Sequence, residues 1–241
     1  MAAPELQVNL GRRALLLTAA SLPVACISSL PFPQGVTEPQ PFNVQMRPPQ
    51  VGQQWVYNVR NVFNSLPVDT ITETVVSVGN QIRISRVGNK LGTLQDEIQS
   101  PWGFVLQDPH WNPPQQLQRA IPLWPEELRA GWSGSYQTRY EVLGYPDSSY
   151  YWGLNIDAQT WESVQAPAGD FLTLKYHSSA PAFQSNDFSR LANWRDEDVW
   201  LSPKIGRWVI RRSSGRYILA GMNIAGALWE DYLESELVSW K

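Results

Sequence analysis

The chain has 241 residues, 12 Trp and a single Cys, with 43% hydrophobic and 17% charged residues and a formal net charge of -3. That length suits one domain or a small pair, and one thiol excludes a disulfide framework within the chain. The balance of 19 Lys and Arg against 22 Asp and Glu leaves no basic surface of the kind that holds a phosphate backbone, so nucleic acid is excluded as an expected partner.

The first predicted element is an address. Arg12 and Arg13 precede a mostly apolar run over residues 14–25, which ends at the lone cysteine, Cys26. A basic flank, an apolar core of this length and small residues before a break describe a signal peptide over residues 1–25, removed on export. Twelve residues at about 1.5 Å each fall short of a hydrocarbon core about 30 Å thick, so the run is too short for a stable transmembrane helix.

The run Leu22-Pro23-Val24-Ala25-Cys26 resembles the bacterial lipoprotein signal, whose lipobox is an aliphatic residue, two small residues and an invariant Cys. Pro23 stands where that family prefers Leu. The resemblance implies cleavage before Cys26, a diacylglycerol on its thiol and usually another acyl chain on its amine. The membrane is then a partner through N-terminal acyl chains, since two or three chains hold where one does not. Ile27 follows the Cys where an Asp would favour inner-membrane retention, so the resemblance also implies the periplasmic face of the outer membrane. The Arg pair resembles a twin-arginine export signal only in part, and the export route stays open between that and the general one.

Residues 26–50 carry Pro31, Pro33, Pro39, Pro41, Pro48 and Pro49. Proline fixes φ and removes amide donors, so this stretch reads as an extended tether, expected to hold the body on the order of tens of Å from a bilayer. Residues 51–241 are written as strands. Residues 54–60, 70–78 and 81–87 are short β-branched or aromatic runs, with Val76, Val78, Ile82 and Ile84 at period two and a hairpin signal at Gly79-Asn80. Another β-rich block covers residues 134–143 and 150–176, with Tyr150, Tyr151 and Trp152 after a turn expected at Pro146-Asp147. Ser213-Ser214-Gly215, between residues 207–212 and 216–220, reads as a further hairpin. Residues 228–240 are ambiguous, with Trp229, Leu233 and Leu237 on a helical spacing and no clean strand alternation.

The stretches Pro167-Ala168-Gly169-Asp170-Phe171 and Pro203-Lys204-Ile205-Gly206, each entering a strand, and the closing residues 236–240 resemble a loose set of exported proteins of unknown function. Those proteins look like the curved antiparallel sheets of periplasmic lipoprotein carriers. The likeness spans about 80 residues, rests on turn chemistry and implies a strand at the C-terminus. The expected fold is mainly β: a single domain over residues 51–241, a curved antiparallel sheet or half-barrel with long loops and little helix.

Chemistry is sparse. The two histidines, His110 and His177, stand far apart in the sequence and the one Cys is assigned to lipid, so no metal site and no cofactor is expected. Gly131-Trp-Ser-Gly-Ser135 misses the spacing of a nucleophile elbow. The carboxylates Asp96, Glu97 and Asp196 to Asp198 are the candidates for glycoside hydrolysis, yet neighbours on a strand point to opposite faces and would not share a cleft. Trp102, Trp111 and Trp124 fall in the Pro-rich stretch 101–125, read as one long loop able to lid a concave sheet and touch a ligand. No catalytic residue is assigned. The functional expectation is a lipid-anchored envelope lipoprotein acting as a non-catalytic module that binds an apolar or envelope ligand or scaffolds a partner. The alternative is a hydrolase of envelope glycans or lipids with aromatic subsites and carboxylates.

Overall fold

The computed structural model describes residues 29–221 and 226–241, so the signal segment and Cys26 lie outside the described residues. The regular structure is all β, with no α-helix among the described residues. In chain order the strands are β1 (Val36–Glu38), β2 (Gln54–Asn61), β3 (Pro67–Ser77), β4 (Ile82–Gly88), β5 (Gly92–Thr93), β6 (Glu97–Gln99), β7 (Phe104–Asp108) and β8 (Gln115–Pro122). They continue as β9 (Ser133–Val142), β10 (Tyr145–Ala166), β11 (Gly169–Ala180), β12 (Arg190–Ser202), β13 (Arg207–Leu219), β14 (Leu228–Trp229) and β15 (Leu233–Trp240).

The sheet runs β10-β11-β12-β13-β15-β2-β3-β4-β6-β7-β8-β9, and β9 pairs again with β10, closing a barrel of 12 antiparallel strands. The body is therefore mainly β, as expected, but the sheet closes where a half-barrel would leave two open edges. The seam joins β15 to β2, with Leu233 opposite Asn61 and Trp240 opposite Trp55. Closure removes the exposed edges that a sheet this wide would otherwise offer to another chain. Elsewhere the barrel is nearly a meander, because short turns place successive strands side by side. Register defines two ends. The mouth end carries the turns at residues 62–66, 89–91, 109–114 and 181–189; the distal end carries those at 78–81, 100–103, 123–132, 167–168 and 203–206.

Alternation fills the interior. Trp55, Tyr57 and Val59 on β2 and Ile82, Ile84 and Arg86 on β4 are buried in every second position. Trp55 Nε1 donates to the Ile205 carbonyl at 3.0 Å and the Tyr57 hydroxyl to that of Trp208 at 2.9 Å, so each ring's polar atom is satisfied inside. The sequence-based phase of β3 is corrected. Val75 is fully buried while Val76 and Val78 are 43% and 46% exposed, because two adjacent valines satisfy either parity and the interior takes the first.

The Pro-rich segment is also corrected. From residue 30 onward it lies along the barrel as a strap. The Leu30 amide donates to the Val62 carbonyl at the mouth end (2.9 Å), and the Arg47 amide donates to Pro203 at the distal end (2.9 Å). Between them Phe32 packs on Trp200 with centroids 5.5 Å apart, Lys175 lies over both rings, and β1 pairs with β10. That pairing is available because β10 outruns β9: β9 covers it as far as Asp157, and β1 takes Trp161 to Ser163 beyond a bulge. Gly35 permits the close approach, since a Cβ there would stand 2.7 Å from the Glu162 Cβ. Prolines keep the strap extended at low entropic cost, and Trp200 gives it an apolar seat.

Other turns differ from expectation for local reasons. Ser213 to Gly215 is no hairpin: β13 runs through it, and Gly215 leaves room for Glu230, whose Oε2 would lie 2.2 Å from a Cβ. The turn before β10 is at residues 143–144, where Gly144 has φ +88°, and Pro146-Asp147 lies within β10. Residues 101–125 are mostly the β7/β8 hairpin and its flanking turns, not one loop. The C-terminal segment is strand, and the register shift between Leu237 and Ser239 is what spoils its alternation.

Candidate functional site

The mouth end holds an open hollow of about 460 Å³ whose walls include Asn61, Phe63, His110, Trp111, Trp229 and Tyr232. Its ring system is organised: Trp229 stacks on Tyr232 at 6.4 Å and 15°, and Phe63 meets both edge-on at 5.7 and 5.4 Å. Below them Arg195 is buried between Trp111 and Phe183, its guanidinium 4.5 and 4.6 Å from their centroids, a desolvated cation–π arrangement. Arg195 donates through Nε to Glu230 Oε2 (2.8 Å) and through Nη2 to the Asn112 carbonyl (3.2 Å). Glu230 also pairs with Arg190, whose guanidinium lies 3.8 Å from the Tyr217 centroid. One carboxylate thus fixes two arginines from β12 against the loop that leads into β15.

His110, on the 109–114 turn, joins this hollow to a buried ionic network. Its Nδ1 is 3.0 Å from Asp108, and its Nε2 is 3.4 Å from both Glu73 and Glu97. Arg207 bridges Glu73 and Glu97 through Nη2 at 2.7 Å each; Arg86 holds Glu73, and Arg211 holds Glu197. Burial by itself pushes the Glu73 carboxyl up, but Arg207, His110 and Arg86 outweigh it and hold the group well below the usual carboxylate range. Against the same burial, Arg207 keeps Glu97 down, and His110 with Arg211 keeps Asp108 down. Arg207, opposed by its own burial, is raised by the two glutamates. These carboxylates are fixed as anions, Glu73 and Glu97 by guanidiniums and Asp108 by His110, which suits them to hold shape and not to exchange protons near neutral pH.

Deeper inside, the space beside Arg195, Asp108 and Ser178 amounts to about 30 Å³, room for about one water and far too little for an acyl chain. The mouth hollow is different. It offers flat aromatic faces, the amides of Asn61 and Asn112 and an imidazole edge, which together suit a ligand with both polar and apolar faces.

The three sequence-selected tryptophans separate. Trp111 belongs to the mouth. Trp102 and Trp124 meet at the distal end with centroids 5.2 Å apart; Trp102 Nε1 donates to the strap carbonyl of Arg47 at 3.2 Å, and the Trp124 ring fills the space over Gly103. Asp96 pairs with exposed Arg83, whereas Glu97 points inward to Arg207. Asp196 and Asp198 project outward beside His177 at 3.6 and 3.2 Å, with Glu197 between them facing in. Gly131 and Trp132 close the distal turn, and Ser133 to Ser135 open β9. Sequence reasoning missed Arg195, Glu230, Glu73 and Arg207. Glu73 carried a usable signal, since it lies on the same strand phase as buried Val75.

No protein-family model matches the chain, and no curated protein matches it. Two solved structures share its fold. One is a Bacteroides fragilis protein designated as exported and as having a YmcC-like fold: it is 14% identical, the match covers 82% of this chain and 99% of that one, and the TM-score is 0.53. The other is a Parabacteroides distasonis protein designated a lipoprotein, also 14% identical, with 86% and 100% covered and a TM-score of 0.55. At that identity the likeness establishes a common fold, the YmcC-like β architecture.

Proposed function

We propose that this chain is a lipid-anchored protein of the bacterial cell envelope, acylated at Cys26 and facing the periplasm from the outer membrane. In this reading its barrel is a non-catalytic module that binds an amphipathic envelope ligand at the mouth. The observation that carries the binding role is the contrast between an open hollow of about 460 Å³ with aromatic and amide walls and an interior already filled by side chains. The signal sequence supports the location, and the designations of the two fold neighbours agree with it. An interior lipid-carrying role has no volume to support it. The hydrolase alternative draws no support from Asp96, Glu97 or Asp196 to Asp198, which are occupied by Arg83, Arg207, His177 and Arg211.

The test is titration of the purified barrel with a solubilised envelope glycolipid and, separately, with its deacylated head, followed by calorimetry. Saturable binding that Trp229→Ala weakens about tenfold or more, with the circular dichroism unchanged, is the expected result; tenfold corresponds to about 1.4 kcal/mol. Absence of saturable heat with either ligand, or binding indifferent to Trp229→Ala, overturns the mouth as the site.

A further inference from the structure

The strap first touches the barrel close in sequence to Cys26, and that contact limits how the barrel can meet a membrane. Leu30 is already fixed at the mouth end by its hydrogen bond to Val62. Only four peptide units separate it from Cys26, and these reach at most about 14 Å even when fully extended. The eight residues of β2, running from the distal end to the mouth, cover roughly 20 Å of barrel height after allowing for strand tilt. A leash of that length from an acylated Cys26 brings the mouth end to the headgroup layer and leaves the distal end out of reach.

The mouth end is also where large apolar side chains are exposed. Phe63 and Leu66 on the β2/β3 turn are 47% and 55% exposed, and Leu91 on the β4/β5 turn is 59% exposed. Phe188 and Leu191 around the start of β12 are 97% and 67% exposed, and Trp229 on β14 is 51% exposed. They come from separate hairpins around one rim. The distal end exposes Phe42, Val51, Val76 and Val78, so apolarity alone does not choose between the ends. The point of chain exit does.

We infer that the mouth end is a membrane seat: its apolar collar enters the interfacial layer of the bilayer that holds the acyl chains, and the hollow opens toward the lipid. Aromatic side chains with a polar edge, such as Trp229 and Tyr232, suit that layer. A ligand of the mouth would then enter from the membrane surface and not from the bulk periplasm. This inference rests on the acylation of Cys26 that the proposed function assumes.

The experiment uses the full mature lipoprotein in vesicles of phosphatidylethanolamine and phosphatidylglycerol, with single cysteines carrying an environment-sensitive fluorophore at Leu66→Cys, Phe188→Cys, Val36→Cys or Val78→Cys. Acylation leaves Cys26 without a free thiol, and mass spectrometry of the N-terminus is read on the same samples. The seat predicts blue-shifted emission and quenching by brominated lipid at positions 66 and 188, with neither at 36 on the strap side nor at 78 on the distal end. Acylated protein whose labels at 66 and 188 remain in water, or whose label at 36 or 78 enters lipid instead, overturns the seat and leaves the anchor standing. Protein with an unmodified Cys26 overturns the anchor and the seat together.

Discussion

Arg207 has no exposed surface, and its guanidinium closes a bridge between Glu73 and Glu97 inside the barrel. The pairing offsets the desolvation of three charged groups but adds little beyond it; breaking it leaves Glu97 buried without a guanidinium and Glu73 with Arg86 and His110 alone. Arg207→Met is expected to lower the unfolding free energy by about 3–5 kcal/mol, measured by urea denaturation. The double change Arg207→Met, Glu97→Leu should recover most of that loss, because the carboxylate left without a guanidinium goes too, while Glu73 keeps Arg86. His177 belongs to the opposite, outer surface. Hydrogen bonding to Asp196 and then Asp198, against partial burial, pushes its pKa up to about 10, with Arg216 also reaching Asp196 at 3.8 Å. A raised folded-state pKa means the stabilisation is complete below the unfolded value of about 6.5 and is lost as pH rises through about 10. His177→Gln should therefore cost most near pH 6, about 1 kcal/mol after solvent screening, and nothing above pH 10, as read from denaturation midpoints across that range.

The strap shows what an element can hide from a sequence reading. Its prolines signalled extension correctly, but nothing in residues 29–50 states that Trp200, far away in the chain, would offer a seat for Phe32. Gly35→Val is expected to drive the strap off β10, because the space a side chain needs is taken by Glu162. The variant should be cut within residues 29–50 by dilute protease, and the amides of Trp161 to Ser163 should exchange faster, while the barrel keeps its cooperative unfolding. The same contrast explains which turns were legible. Pro167 to Gly169 and Gly79-Asn80 join adjacent strands and announce themselves through local backbone preference. Gly215 and Gly206 resemble turn residues in sequence, yet each also makes room for a distant group, Glu230 in one case and the Arg47 carbonyl of the strap in the other. The mouth was less legible still, since Trp111, Arg195 and Glu230 come from three separate stretches and meet only when the barrel closes.

Closure itself depends on the last strand. β15 pairs with β13 on one side and β2 on the other, and the Arg60–Glu236 ion pair across the seam joins positions 176 apart. Strand content could be read along the chain, but a half-barrel and a full barrel have the same local pattern; only the long-range pairing distinguishes them. Removing residues 233–241 should leave β2 and β13 with bare edges and abolish the sharp unfolding transition, seen as a loss of near-ultraviolet circular dichroism and a broad urea profile. Contacts of such separation also make slow folding the expectation, measurable as a refolding phase of milliseconds to seconds that follows Trp fluorescence.

The strap's course has a mechanical meaning as well. It is attached at both ends of the barrel and enters β2 only after passing down the whole wall, so tension applied at the N-terminus reaches the strap before it reaches any barrel strand. Peeling would start at Leu30 and proceed one contact at a time, releasing roughly twenty residues, or about 70 Å of chain, while the seam between β15 and β2 stays shut. The segment is stored slack: a short leash at rest that can pay out under load without unfolding the body it holds.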